Sequence, residues 1–359
     1  MVLAGTAACG TVENLSAGQK LDNAFEKLGE ERSLAFELDL DTDAASLKAL
    51  DAEASAPGEE MPDEVAELLA EARISVSVHS KKPIKKSGEK DFTAMAMKVS
   101  GPDGALLEYR LVGDYLYVRV DAAALAEMSG SPLPPASELP DGAGAFKKLL
   151  DGEWIKVSQK EIEETRDGLS GTQGPGGEEP SAEPSLDATT QKKLTDALKK
   201  AVAEQVDLTT SDGPDGTERI TATAPFRTLL TELFDALRPL QKELPGGDGM
   251  PTAKDFKDVP NKKVSADFTL KNGELTEVSV DLAELAEKAK VKKLALVLRV
   301  SEGEKPEAPA GATELRLEEL MGDILSGTLG GGLAGEEFAD EEFGEAPFEE
   351  ADLTGDVRL

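Results

Sequence analysis

The chain has 359 residues, 39% of them hydrophobic but only 4% aromatic, and a formal net charge of −32 from 71 acidic and 39 basic side chains. Neutralising nucleic-acid phosphates takes clustered Lys and Arg, so this balance argues against a nucleic-acid partner, and it opposes adsorption to an anionic bilayer. A single cysteine, Cys9, and a single histidine, His79, exclude an internal disulfide and a cysteine-based metal cluster and argue against histidine-dependent chemistry.

Residues 1 to 10, MVLAGTAACG, resemble the end of a bacterial lipoprotein signal, in which small residues precede a cysteine that becomes diacylated. Thr6, Ala7 and Ala8 are small and lead directly to Cys9. The copy lacks a basic leader, its apolar run falls short of the about 7–15 residues of such signals, and Thr6 stands where leucine is usual. A start upstream of Met1 would supply the missing leader. The resemblance implies a truncated signal and tether over 1–12, lipidation at Cys9, and attachment by an acyl anchor to the outer face of the cytoplasmic membrane. The plain alternative is an ordinary N-terminus of small residues. No other stretch is long and apolar enough to span a membrane.

A helix is expected from Ser16, where Ser16 and Gln19 fit a capping box and Leu21, Ala24, Phe25 and Leu28 form one face up to Gly29. A strand follows, with Leu34, Phe36, Leu38 and Leu40 on its buried side. Asp39, Asp41 and Asp43 imitate a calcium loop, but Ala44 replaces its glycine and Leu50 its bidentate glutamate, so no metal site is expected. Residues 41 to 62 read as loop with some helical character, and Asp63 caps a short helix facing inward through Val65, Leu68, Leu69 and Ala72. Then come four period-two runs: RISVSVHS, FTAMAMKV with Met95, Met97 and Val99 on one side, ALLEYRLV and YLYVRV. His79 falls on a polar face. Lys81 to Lys90 is a basic hairpin tip, and the Gly113-Asp114 turn brings Tyr109, Tyr115 and Tyr117 close together.

A Pro/Gly-rich segment, SGSPLPPASELPDGAGA, leads to a short helix over 146–150 and a strand beginning at Trp154. Residues 161–186 are low-complexity linker with too little apolar surface to offset ordering entropy. An amphipathic helix through Leu194, Ala197, Leu198, Ala201 and Val202 precedes the strand VDLTT. In ERITATAPFRTLLTELFDALRPL, strand period through Ile220, Ala222 and Ala224 gives way past Pro225 to helical period. Phe226, Leu229, Leu230, Leu233, Phe234, Leu237 and Leu240 then line one helix face, either as core or as pocket wall. After a flexible loop over 241–261, KVSADFTL and ELTEVSVDL pair through Asn272-Gly273, and KLALVLRV is the last strand. Residues 302–320 hold a Pro-rich turn and a short amphipathic piece with Leu315, Leu317 and Leu320. Residues 321–359 form an acidic tail containing Phe338, Phe343 and Phe348, read as solvated, with docking to an envelope protein as the minority reading.

These elements assemble as α+β: a curved, largely antiparallel half-barrel of about ten or eleven strands with amphipathic helices on its concave face. A domain over 13–320 divides into halves 13–160 and 187–320. The order of elements, the run GDYLYVRV, ERITATAP leading into a helix and the hairpin VSADFTLKNGELTEVSVDL resemble the actinobacterial LppX/LprG-type lipoproteins, related in fold to LolA. The resemblance implies a cavity between sheet and helices holding a lipid or other hydrophobic ligand. The candidate lining is Phe226, Leu229, Leu230, Leu233, Phe234, Leu237, Phe36, Leu38, Met95, Met97, Tyr117 and Phe268. No hydrolase, P-loop or dinucleotide motif occurs, so neither an enzyme nor a cofactor is expected. The competing expectation is a surface-anchored interaction or sensor protein with a filled core and no ligand.

Overall fold

A computed structural model describes residues 7–55, 60–129, 144–170, 205–241, 250–257 and 259–317, with the backbone alone for 7–15, 54, 89, 128–129 and 166–170. In chain order the elements of the first half are α1 (Ala7–Glu30), β1 (Ser33–Asp41), α2 (Ala44–Ala54), α3 (Asp63–Glu71), β2 (Arg73–Ser80), β3 (Phe92–Gly101), β4 (Gly104–Val112), β5 (Tyr115–Val120), α4 (Ala122–Ser129), α5 (Gly144–Leu150), β6 (Ile155–Ser158) and α6 (Gln159–Ser170). The second half adds β7 (Asp207–Asp212), β8 (Thr217–Pro225), α7 (Phe226–Leu237), β9 (Lys263–Lys271), β10 (Glu274–Asp281), β11 (Ala295–Glu302) and β12 (Thr313–Glu314).

The strands form one sheet in the order β12-β6-β5-β4-β3-β2-β1-β11-β10-β9-β8-β7. Every neighbouring pair is antiparallel except β12 on β6, which is parallel. The sheet is open, because β12 and β7 end it without pairing to each other. Its centre is the β1–β11 pair, which joins the strands of the two halves. The expected α+β class holds, with twelve strands among the described residues rather than ten or eleven.

Short connections dictate most of this order. Asn272 (φ 55°) and Gly273 (φ 73°) both adopt the left-handed conformation of a two-residue type I′ hairpin between β9 and β10. Between β4 and β5 only Gly113, at φ 61°, takes a positive φ, so that turn is not type I′. Pro225 closes β8, and Phe226 opens α7 by donating its N–H to the Lys262 carbonyl at 2.9 Å, so the helix starts against the neighbouring strand.

Several elements depart from expectation. The first helix begins at Ala7, and Ser16 lies inside it, because no proline or turn pair between Ala7 and Leu15 stops the helix. Cys9 therefore stands in a helical turn. Asp43 caps α2, accepting from the Ser46 N–H at 2.8 Å, which is what the calcium-like spacing amounts to. Asp63 is not a cap; its carboxylate pairs with Lys48 across α2 and α3. Helix α6 extends to Ser170, into the stretch read as linker. The helix through Leu194, the remainder of that linker, residues 242–249 and 258 of the loop after Leu240, and the acidic tail lie outside the described residues.

The principal core joins α1 to the second-half strands. Ala17 and Ala24, seven residues apart on one stripe, are fully buried against Ile220, Leu270 and Leu275, flanked by Leu21, Leu28, Leu208, Phe268 and Val278. Alanine at both positions lets the helix approach the strands closely.

Candidate functional site

Strand alternation divides the sheet into two chemically opposite faces. On one, the register aligns Val120, Leu107, Val99, Ile74, Leu38, Leu298, Val278, Phe268 and Ile220 in a row across nine strands from β5 to β8. The row beside it runs Ile155, Val118, Tyr109, Met97, Val76, Phe36 and Val300. Met95 joins the next row, between Val78 and Leu111. Thus Phe36, Leu38, Met95, Met97 and Phe268 of the expected lining share one continuous apolar face, and α1 packs on part of it.

That face is incompletely covered at the middle of the sheet. Ile74 on β2 keeps 38% of its surface exposed and Leu296 on β11 keeps 39%, although both flank the central strand β1. At the border, Phe25 of α1 is 50% exposed while its ring stands edge-on to Phe268 at 6.4 Å. Leu69 of α3 is 40% exposed, its neighbour Leu68 packing on Gly101 instead. None of these four was among the expected lining. The phase of Ile74 and Leu296 was readable from alternation, but their lack of cover was not.

Helix α7 projects from the end of β8 with Phe226, Leu229, Leu230, Leu233, Phe234 and Leu237 all partly exposed and no residue fully buried. Only Leu240, just beyond it, is buried. Phe234 meets Phe256 with ring centres 5.2 Å apart. The helix is therefore not a sealed core element.

Tyr117 does not belong with the others. It is opposite Arg110 and Lys156, on the polar face, and 8% exposed. In YLYVRV the tyrosines share phase with Arg119, whereas Leu116 and Val118 face the apolar side. Tyr115 lies beside Tyr117 at 6.3 Å, but Tyr109 is on the apolar face, so the expected cluster of three tyrosines does not form.

The polar face carries a row from Arg119 through Glu108, Lys98, Ser75, Glu37, Arg299 and Glu277 to Thr269. Glu108, 8% exposed, is bridged by Arg119 and by Arg110 at 3.3 Å, and both guanidinium groups lie over the Trp154 ring at 5.2 and 4.9 Å. Partial burial works against the Arg299 charge, but hydrogen bonding and attraction to Asp39, with Glu277 and Glu37 adding, outweigh it and raise its pKa. The 303–312 segment leaves β11 and returns as β12, crossing this face; Arg110 donates to the Glu307 carbonyl at 3.1 Å. Beneath it lies a cavity of about 1180 Å³ bordered by Glu37, Ser75, Ser77, Lys98, Glu108, Arg110, Arg299 and 304–307. Phe36, Val76, Met97 and Val300 also border it, through their backbone as alternation requires. This half-open space is thus lined by charge, on the side opposite the expected lining.

Among the described residues no group of three His, Cys, Asp or Glu could hold a metal ion, and no helix is long and apolar enough to cross a membrane. No family model and no curated protein sequence matches the chain. Among solved structures it is similar to the lipoprotein LppX of Mycobacterium tuberculosis, at 12% identity over 82% of this chain and 98% of that one, with a TM-score of 0.30. It is also similar to LprF of Mycobacterium bovis, at 10% identity over 83% and 98%, again with a TM-score of 0.30. At that score neither likeness carries a functional conclusion.

Proposed function

We propose that this chain is a cell-envelope lipoprotein, acylated on Cys9, that binds a lipid or another hydrophobic ligand on the apolar face of its sheet. The supporting observation is the exposure of Ile74 and Leu296 over the central strands, with Phe25 and Leu69 exposed at the border. Central strands ordinarily bury such side chains, since apolar surface left in water forgoes roughly 25 cal/mol per Å². A contiguous apolar surface of this kind marks a binding groove. An acyl chain laid there gains about 0.8 kcal/mol per methylene, enough for micromolar affinity after ordering costs. The alternative, an interaction protein with a filled core, needs these side chains covered, which their exposure speaks against.

The test is extraction. Full-length protein purified with Cys9→Ser is denatured in organic solvent and the extract analysed by mass spectrometry, in parallel with uptake of a fluorescent fatty acid. Co-purifying acyl chains or saturable uptake support the reading; the absence of both overturns it.

A further inference from the structure

We infer that the loop between β2 and β3 is a docking surface for an anionic lipid bilayer. In a chain of net charge −32, this loop gathers Lys81, Lys82, Lys85, Lys86 and Lys90 within ten residues. Its conformation is fixed from inside. Ser80, 1% exposed, accepts from the Lys82 N–H at 3.3 Å, donates to the Asp91 carbonyl at 3.1 Å and hydrogen-bonds the Ser87 hydroxyl at 2.6 Å. Asp91 accepts from the Gly88 N–H at 3.0 Å, and the Ile84 N–H donates to the Glu31 carbonyl at 2.8 Å, tying the loop to the end of α1. Gly29 permits that approach, since a Cβ there would stand 3.0 Å from the Lys85 Cβ.

The lysines divide into two sets. Lys85 is held by Glu26 and Glu30, and Lys82 by Asp91 at 3.0 Å. Lys81, Lys86 and Lys90 are exposed and form no direct ion pair among the described residues, although Lys86 still attracts Glu30 and Lys81 attracts Asp91 at longer range. Phe92, which follows the loop, is 40% exposed. Ammonium groups held in no direct ion pair, on a loop followed by an exposed aromatic ring, match an anionic surface with an apolar layer beneath it. A nucleic acid offers no such layer. The carboxylates against the loop, Glu26, Glu30 and Asp91, are matched by Lys85 and Lys82, and the chain's distant carboxylates do not cancel the attraction, because repulsion is largely screened beyond about 8 Å at physiological salt. A second basic stretch, Lys288 to Lys293, has Lys293 paired with Asp41 and adjoins no exposed aromatic ring among the described residues.

This docking goes beyond the proposed ligand binding and does not depend on it. Full-length Cys9→Ser protein is sedimented with phosphatidylcholine vesicles, with and without phosphatidylglycerol, at physiological salt, where the screening length is about 8 Å, and near 1 M salt, where it is about 3 Å. Binding is expected only with phosphatidylglycerol at physiological salt. Each lysine near an anionic surface contributes about fivefold, so Lys81→Gln/Lys86→Gln/Lys90→Gln should lower partitioning about a hundredfold, with fatty-acid uptake and thermal unfolding unchanged. In Phe92→Trp, fluorescence should shift to the blue with these vesicles, above the Trp154 background. No wild-type binding at physiological salt, undiminished binding by the triple variant, or loss in Lys288→Gln/Lys290→Gln/Lys292→Gln instead would each overturn the assignment. Should the triple variant unfold, the Phe92→Trp shift decides alone, its absence refuting the contact.

Discussion

Replacing Ile74 and Leu296 together with serine separates a ligand-lining surface from packed core. Fully burying such a side chain is worth about 1.5–3 kcal/mol. With 38% and 39% of their surfaces still in water, about 0.6–1 kcal/mol per side chain remains for a ligand to gain by covering them. The double variant should therefore lose about 1–2 kcal/mol of ligand binding, a five- to thirtyfold rise in Kd for a fluorescent fatty acid. The folded protein loses the packing of the buried fraction, about 1–2 kcal/mol per site, which for both sites together lowers Tm by roughly 4–16 °C and leaves a cooperative transition. Fluorescence titration and differential scanning calorimetry on the same preparation read both quantities. Uptake within twofold of wild type would refute the lining role. So would loss of the folded state, because it would mean the two side chains sit in sealed core.

Leu270→Ala, in the α1 core at 2% exposure, should cost about 2–4 kcal/mol in urea unfolding through transfer and cavity terms, without a specific effect on uptake per folded molecule. Leu230→Asp on α7 should fold and bind ligand less well, since Leu230 is partly exposed; Phe234→Asp should be the less stable of the two, because it also strips Phe256 of its ring partner. Gly303→Ala would place a Cβ 2.6 Å from the Leu34 carbonyl carbon and oxygen, so the 303–312 crossing must shift, and faster amide exchange across it is the expected readout; unchanged exchange would refute the close approach. The Met61 N–H and then the Ser55 hydroxyl hold the Asp51 pKa below its usual value, and the Gly88 N–H and then Lys82 do the same for Asp91. A depressed folded-state pKa stabilises above the unfolded value and is lost as pH falls through the folded one, so the stability gap between wild type and Asp51→Asn/Asp91→Asn should be full at neutral pH and close below the ordinary carboxylate range near 3.9.

Local signals carried the reading wherever structure is decided by neighbours in sequence. Alternation placed eleven strands, and Pro225 marked the change from β8 to α7 because a proline cannot continue a ladder but tolerates a helix start. Asn272-Gly273 fixed a hairpin through two left-handed residues. By contrast β12 is two residues long and pairs parallel with a strand some 150 residues earlier, which no local period reveals. Ser16 gave a false start because a capping box is only permissive; the residues before it continue the helix. At the site, the phase of Phe36, Leu38, Met95, Met97 and Phe268 was legible. Tyr117 was misassigned because it was treated as an aromatic landmark rather than read in phase with Arg119. The uncovered state of Ile74 and Leu296 depends on where distant helices end, and composition carries no signal for that.

The two faces also decide where a hydrophobic ligand can go, although the cavity of about 1180 Å³ lies on the polar one. Under the 303–312 crossing an acyl chain would strip water from the Glu108 bridges to Arg110 and Arg119 and from the Arg299 cluster with Asp39, Glu37 and Glu277. Desolvation of charged groups costs several kcal/mol per ion unless their pairing compensates fully, while each methylene returns only about 0.8 kcal/mol. On the apolar face no such cost arises, and Ile74 and Leu296, over the central strands, leave apolar surface in water for a ligand to cover.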